Sequence, residues 1–159
     1  MISLPDYYAI LSSLVYSHGL LGLFAIAFLS ASLLPFPSAP VIILATKYFD
    51  PLVIILVVTI ASTLAAFINY YVGFKGLRHF LVKRDKQSEN KAEKWFKKWG
   101  APVLIASPWI PFIGDLFPVA AGTLKMDWKK FLAYIIIARV VKTAAVILIA
   151  IQVFTALGV

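Results

Sequence analysis

Residues 101–124 read APVLIASPWIPFIGDLFPVAAGTL. The stretch is almost wholly apolar, yet Pro102, Pro108, Pro111, Pro118, Gly114 and Gly122 interrupt it, and it holds one acid, Asp115. Proline inside a helix removes a hydrogen bond and clashes with the preceding turn, so no straight helix is predicted here. Broken backbone survives at membrane depth only where protein surrounds it or it lines a cavity, because hydrocarbon offers no hydrogen-bond partners. The stretch therefore predicts a segment that dips into a bilayer and turns back.

Downstream, residues from about Asp127 or Trp128 to Leu157 predict one crossing helix, with Lys125, Lys129 and Lys130 at its start. Upstream lies the polar part of the chain, 74–100. There Ala92, Trp95, Phe96 and Trp99 recur at i, i+3, i+4 and i+7, which predicts an amphipathic helix. Lys91, Lys94, Lys97 and Lys98 surround that stripe. Trp and Lys in this pattern suit the headgroup layer of an anionic membrane; a helix docked on the protein itself is the competing expectation.

Further upstream, Tyr7 to Thr46 contains no Asp, Glu, Lys or Arg. It is interrupted at PFPSAP, where Pro35, Pro37, Ser38 and Pro40 mark a second turn. The expected parts are a lead-in at 4–16, a spanning helix at 18–34 and a dipping segment at 35–49. Asp50-Pro51 then starts a further crossing, with proline at the first helical position, that runs to Tyr71 or Gly73. The predicted architecture is an all-α integral membrane protein with three spanning helices and two re-entrant hairpins. It forms one domain over 1–159. The first half is 18–73, the basic cytoplasmic loop with its amphipathic helix is 74–100, and the second half is 101–158.

Composition agrees. Apolar residues make up 62% and charged residues 14%, against about 45–50% and about 25% in soluble domains. The net charge of +8 does not point to nucleic acid, because every basic residue except Lys47, Arg139 and Lys142 lies within 75–98 or 125–130. By the positive-inside rule, that side is cytoplasmic in a multi-pass plasma-membrane protein. With three crossings the N-terminus is also inside and the C-terminus outside. Asp6 is the only charge near the start, unlike a secretory leader, so the N-terminal stretch is expected to be retained. Cysteine is absent and only His18 and His79 are present, so neither thiolate nor histidine metal sites are expected, and no cofactor.

The two dips resemble each other. Pro35-Phe36 matches Pro111-Phe112, and, with one residue inserted, Thr46 matches Thr123 and Asp50 matches Asp127. Each half reads as a dip followed by a crossing, and the halves start on opposite sides. That is an inverted repeat, the layout of many secondary transporters.

Asp115, Arg139 and Lys142 are ionisable groups deep in apolar surroundings. A charge at the bilayer centre costs roughly 2.5–3.5 kcal/mol on insertion scales, so it is kept where it pairs or acts. Arg139 and Lys142 share a helix face, and one acid beside two bases leaves a net positive pocket suited to a phosphate or other anionic headgroup. A purely structural ion pair is the alternative. Gly114 forms the turn before Asp115. Asn69 is expected either to bond the broken backbone of the second dip or to touch substrate. No base–nucleophile pair suggests an enzyme.

These residues resemble the DedA family of membrane proteins, which carry the VTT or SNARE-associated domain, and its YqaA-like branch in particular. The resemblance is carried by PFPSAP, by Asn69-Tyr70 with Gly73, by SPWIPFIGDLFPVAAGTLKMDWKKF from Ser107 to Phe131, and by Arg139 with Lys142. It implies facing re-entrant hairpins and lipid movement between leaflets, as flippase or scramblase. Many relatives have a glutamate after Pro-Ser where this chain has Ala39, and an arginine where it has Asp115. A further acid usual near the second crossing is replaced by Ala66 or Asn69. Fewer acids fit passive scrambling better than proton coupling. The expected function is lipid translocation with anionic membrane lipids as partners, and a homodimer is compatible with it. The alternatives are a proton- or ion-coupled exporter of small solutes and a non-transporting membrane organiser.

Overall fold

The computed structural model describes residues 4–32, 39–76, 86–110 and 114–157, which are helices joined by turns and short irregular links, with no strand among those residues. Pro35, Pro37, Ser38 and Pro111 lie outside them, as does the Phe36–Phe112 match. Helix α1 is Leu4–Ala31 and bends at Gly19, whose φ of 55° and ψ of −128° are not helical. Glycine adopts this conformation without steric cost, so the boundary between lead-in and apolar helix falls where the glycine is. Helix α2 is Ala39–Ala45, with Pro40 in its first turn, where a missing N–H is harmless.

Helix α3 is Pro51–Phe74. Asp50 starts it by accepting a 2.8 Å hydrogen bond from Leu52 N. Helix α4, Lys86–Trp99, follows the basic loop. A short α5, Val103–Ala106, runs into a 3-10 turn at Ser107–Trp109 that contains Pro108. Then come α6, Leu116–Thr123, and α7, Trp128–Leu157. Pro118 sits buried in the first turn of α6, where its nitrogen would have had no helical partner. Asp127 caps α7, accepting from Lys129 N and Lys130 N at 3.0 Å.

Two helices, not three, are long and apolar enough to cross a bilayer among the described residues: Pro51–Phe74 and the α7 segment Trp128–Ala156. The expected span at 18–34 reduces to Ser17–Ala31. At about 1.5 Å per residue that arm falls short of a hydrocarbon core about 30 Å thick. The Gly19 bend keeps the lead-in from extending it.

The two long helices run antiparallel. At one end the Tyr70 and Phe131 rings stack 4.6 Å apart. At the other, Lys47 Nζ stands 4.8 Å from the centre of the Phe154 ring. Small residues of α3 turn inward, with Ala61, Ala65 and Ala66 all buried, while Leu52, Leu56, Ile60, Leu64 and Ile68 form an exposed stripe four residues apart. Apolar side chains that face outward over a whole helix are a surface for lipid.

Helix α3 crosses α6 at near-backbone contact. A Cβ on Gly73 would run into the Val119 carbonyl, and one on Gly122 into that of Tyr70. Paired glycines let two backbones approach where no larger residue fits. The Tyr70 hydroxyl donates to the Met126 carbonyl beside this crossing. Helix α6 packs chiefly on α3, the long helix of the other half, while α2 packs on both α1 and α7.

Candidate functional site within the bundle

Gly114 begins the construction of the site. Its N–H donates to Ile110 O at 2.9 Å, and a Cβ there would overlap the Ser107 carbonyl. This tight turn presents Asp115 at the start of α6. Arg139 of α7 meets it: a guanidinium nitrogen lies 3.7 Å from Asp115 Oδ1, with the two side chains 7% and 24% exposed. The separation exceeds that of a short charge-assisted hydrogen bond, so the pair attracts without being locked together. Lys142, one turn further along and partly buried, lies within electrostatic reach of both. The structure thus brings Asp115, Arg139 and Lys142 together, with Gly114 shaping the turn.

Asn69 does not join them through its described contact. Its amide donates to Ala31 O at 3.3 Å, so it secures the end of α1 rather than the backbone of the second dip. It lies on the same face of α3 as Ala61 and Ala65, turned away from the side that carries Tyr70 to Phe131.

The stripe on α4 is turned inward at Ala92 and Phe96. Ala92 and Phe96 are buried in the same cluster as Phe117 and Ala121, and the Trp95 ring lies 6.2 Å from Phe117. Phe96 is therefore a core residue and not a membrane-surface one. Lys91, Lys94, Lys97 and Lys98 remain exposed, as do Trp95 and Trp99, and Lys98 Nζ lies 5.5 Å from the centre of the Trp99 ring.

The buried hydroxyls of α3 carry no charge and so escape a search for ionisable groups. Thr59 and Thr63 both have buried side-chain oxygens with no hydrogen-bond partner, as does Nε of Arg139. The signal that finds them is their spacing of four within a charge-free helix.

These features define a helical membrane protein with a charged pair set inside it, the class to which transporters belong. The VTT domain matches residues 36–152, and the chain belongs to that family, the transporter-like DedA membrane proteins. It is similar to the inner membrane protein YqaA of Escherichia coli (strain K12), 32% identical over 129 residues, which is 80% of this chain and 87% of that one. It is 29% identical to the uncharacterized membrane protein YbfM of Bacillus subtilis (strain 168) over 79% of this chain and 84% of that one. It also resembles undecaprenyl phosphate transporter A of Bacillus subtilis (strain 168), 32% identical over 50% of this chain and 43% of that protein. No solved structure matches.

Proposed function

We propose that the protein moves anionic lipids between leaflets, the headgroup passing through the space around Asp115, Arg139 and Lys142 while the acyl chains stay in the bilayer. The observation that carries this is the Asp115–Arg139 pair, set where the turn at Gly114 meets α7, with Arg139 buried. Two cations beside one acid leave a net positive charge, which a phosphate neutralises. The similarity to a protein named as an undecaprenyl phosphate transporter supports a phosphate-bearing lipid as substrate.

In this reading residues 101–124 form one re-entrant hairpin, α5 descending and α6 returning, with Asp115 at its tip. The first hairpin is larger than the sequence suggests. Its arms are the apolar part of α1 and the short α2. The placement of Gly19 against Phe49 and of Ala31 against Asn69 supports it. Thr46 and Thr123 each donate to a carbonyl one turn back, and Asp50 and Asp127 each cap a long helix, which supports an inverted repeat. With the basic loop cytoplasmic, the hairpins open to opposite sides and the C-terminus is outside. The bend at Gly19 then lies on the outer side, and so does the lead-in, in place of the cytoplasmic N-terminus expected from three crossings. The lysines of α4 face the inner leaflet.

The test is reconstitution into liposomes with fluorescent lipids and an impermeant quencher. Faster loss of inner-leaflet signal than in protein-free vesicles is expected for a phosphate-bearing lipid. Equal rates would dismiss lipid translocation.

A further inference from the structure

Tyr70 stacks on Phe131, which fixes the register of α3 against α7. Counting back along α3 from Tyr70 at steps of three and four, the same face carries Ala66, Thr63 and Thr59. Counting forward along α7 from Phe131, the facing stripe is Ile135, Ala138 and Lys142. Antiparallel helices with equal rise then pair Ala66 with Ile135, Thr63 with Ala138 and Thr59 with Lys142. Ala66, Tyr70, Phe131 and Ile135 do belong to one buried cluster, which supports the alignment. Above them the interface changes from aromatic and aliphatic to hydroxyl and ammonium. Ala138 contributes no side chain beyond Cβ opposite Thr63, and Arg139 follows it.

The hydroxyls here behave differently from others in these helices. Ser62, Thr123 and Thr155 donate to the carbonyl four residues earlier, which is how a hydroxyl usually satisfies itself in a helix. Thr59 and Thr63 make no such bond, and Thr59 is only 8% exposed. A buried hydroxyl left unpaired is unfavourable, so its persistence calls for a partner. Arg139 Nε is unpaired at the same depth. Three donors and the Lys142 ammonium thus gather on one seam between the two long helices, and the acid nearby, Asp115, stands beside Arg139 on the side of the second hairpin.

We propose that this seam is a water-reached cleft that binds a phosphate oxyanion, Thr59 and Thr63 donating through their hydroxyls and Lys142 and Arg139 supplying the charge. It deepens the translocation reading, on which it rests for Arg139 and Lys142, by adding the two threonines that coordinate phosphate oxygens. The ligand chemistry is the phosphate itself, carried on a lipid headgroup or free in solution.

The chain contains no cysteine, so Thr59→Cys, Thr63→Cys and Ala61→Cys give single reporters, the last on the face packed against α1. Each variant, reconstituted in vesicles, is treated with anionic and cationic water-soluble methanethiosulfonates. Thr59→Cys and Thr63→Cys are expected to react, the anionic reagent about tenfold faster through steering by positive charge. Ala61→Cys should stay unmodified. Adding Lys142→Gln should remove the preference between reagents while labelling persists. Protection by inorganic phosphate would assign the cleft to a soluble anion, and protection by short-chain phosphatidic acid alone would assign it to a lipid headgroup. No labelling above Ala61→Cys, equal rates for the two reagents, or no protection by either phosphate would each overturn the cleft. Labelling needs no transport, so its outcome is separate from that of the liposome assay.

Discussion

Asp115 and Arg139 set the terms at the scale of single residues. Removing one partner of a buried ion pair leaves the other charge uncompensated, which costs about 3 kcal/mol or more. Asp115→Asn, which strands the buried Arg139, should therefore lower the midpoint of thermal unfolding in detergent, and Arg139→Gln should do so less, since the Asp115 carboxylate it leaves behind is the more exposed of the two. Combining Asp115→Asn with Arg139→Gln removes both charges of the pair and leaves the net charge of the cluster as it was, one positive, on Lys142. That double variant should recover most of the lost stability while lipid transfer stays abolished. Recovery of both together would mean that the pair only holds the fold. Arg139→Lys keeps the charge but loses the planar donor fork, so folding should persist with slower transfer. The pair was legible in the sequence because charges stand out in apolar stretches. The partner of Asn69 was not, because which neighbour an inward amide meets depends on packing between helices. Thr59 and Thr63 were hidden for a related reason: their meaning lies in the register with Phe131, and a sequence does not print register.

Among elements, the crossing of α3 and α6 is the closest contact. Gly73→Ala or Gly122→Ala places a methyl where a carbonyl of the other helix stands, and overpacking of that sort costs about 2 kcal/mol. Both should reduce thermal stability in detergent, and a change that leaves the midpoint untouched would show that the backbones are further apart than described. Helix α4 gives a second prediction. Ala92 is fully buried in a cluster with Phe117 and Ala121 of α6, so Ala92→Glu forces a carboxylate into an apolar contact. Trypsin should then cut at Lys91 or Lys94 well before it does in the wild type; an unchanged cleavage rate would mean that α4 is not docked. The periodicity of this helix was visible in the sequence, but what its stripe faces was not. A lipid surface and a protein surface ask for the same apolar spacing, and only the Trp95–Phe117 contact separates them.

For the whole molecule, prolines and glycines announce where the chain breaks, and so the two long helices and both interrupted segments could be located from residue types alone. The number of crossings could not. The charge-free length from Tyr7 to Thr46 hides a bend at Gly19, and a single glycine in an apolar run gives no sign of whether it bends or continues. Once bent, the arm among the described residues, Ser17–Ala31, is shorter than a span, and α1 and α2 become candidates for the two sides of one hairpin. In the proposed reading, two broken hairpins enter from opposite faces and a positive site lies where the second one ends. The most direct test compares transfer of a phosphate-bearing lipid with that of a headgroup-neutral lipid in vesicles holding wild type or Arg139→Gln. Acceleration of the phosphate lipid alone in wild type, and its loss in the variant, is the expected result. Equal acceleration of both lipids, undiminished by the substitution, would contradict it.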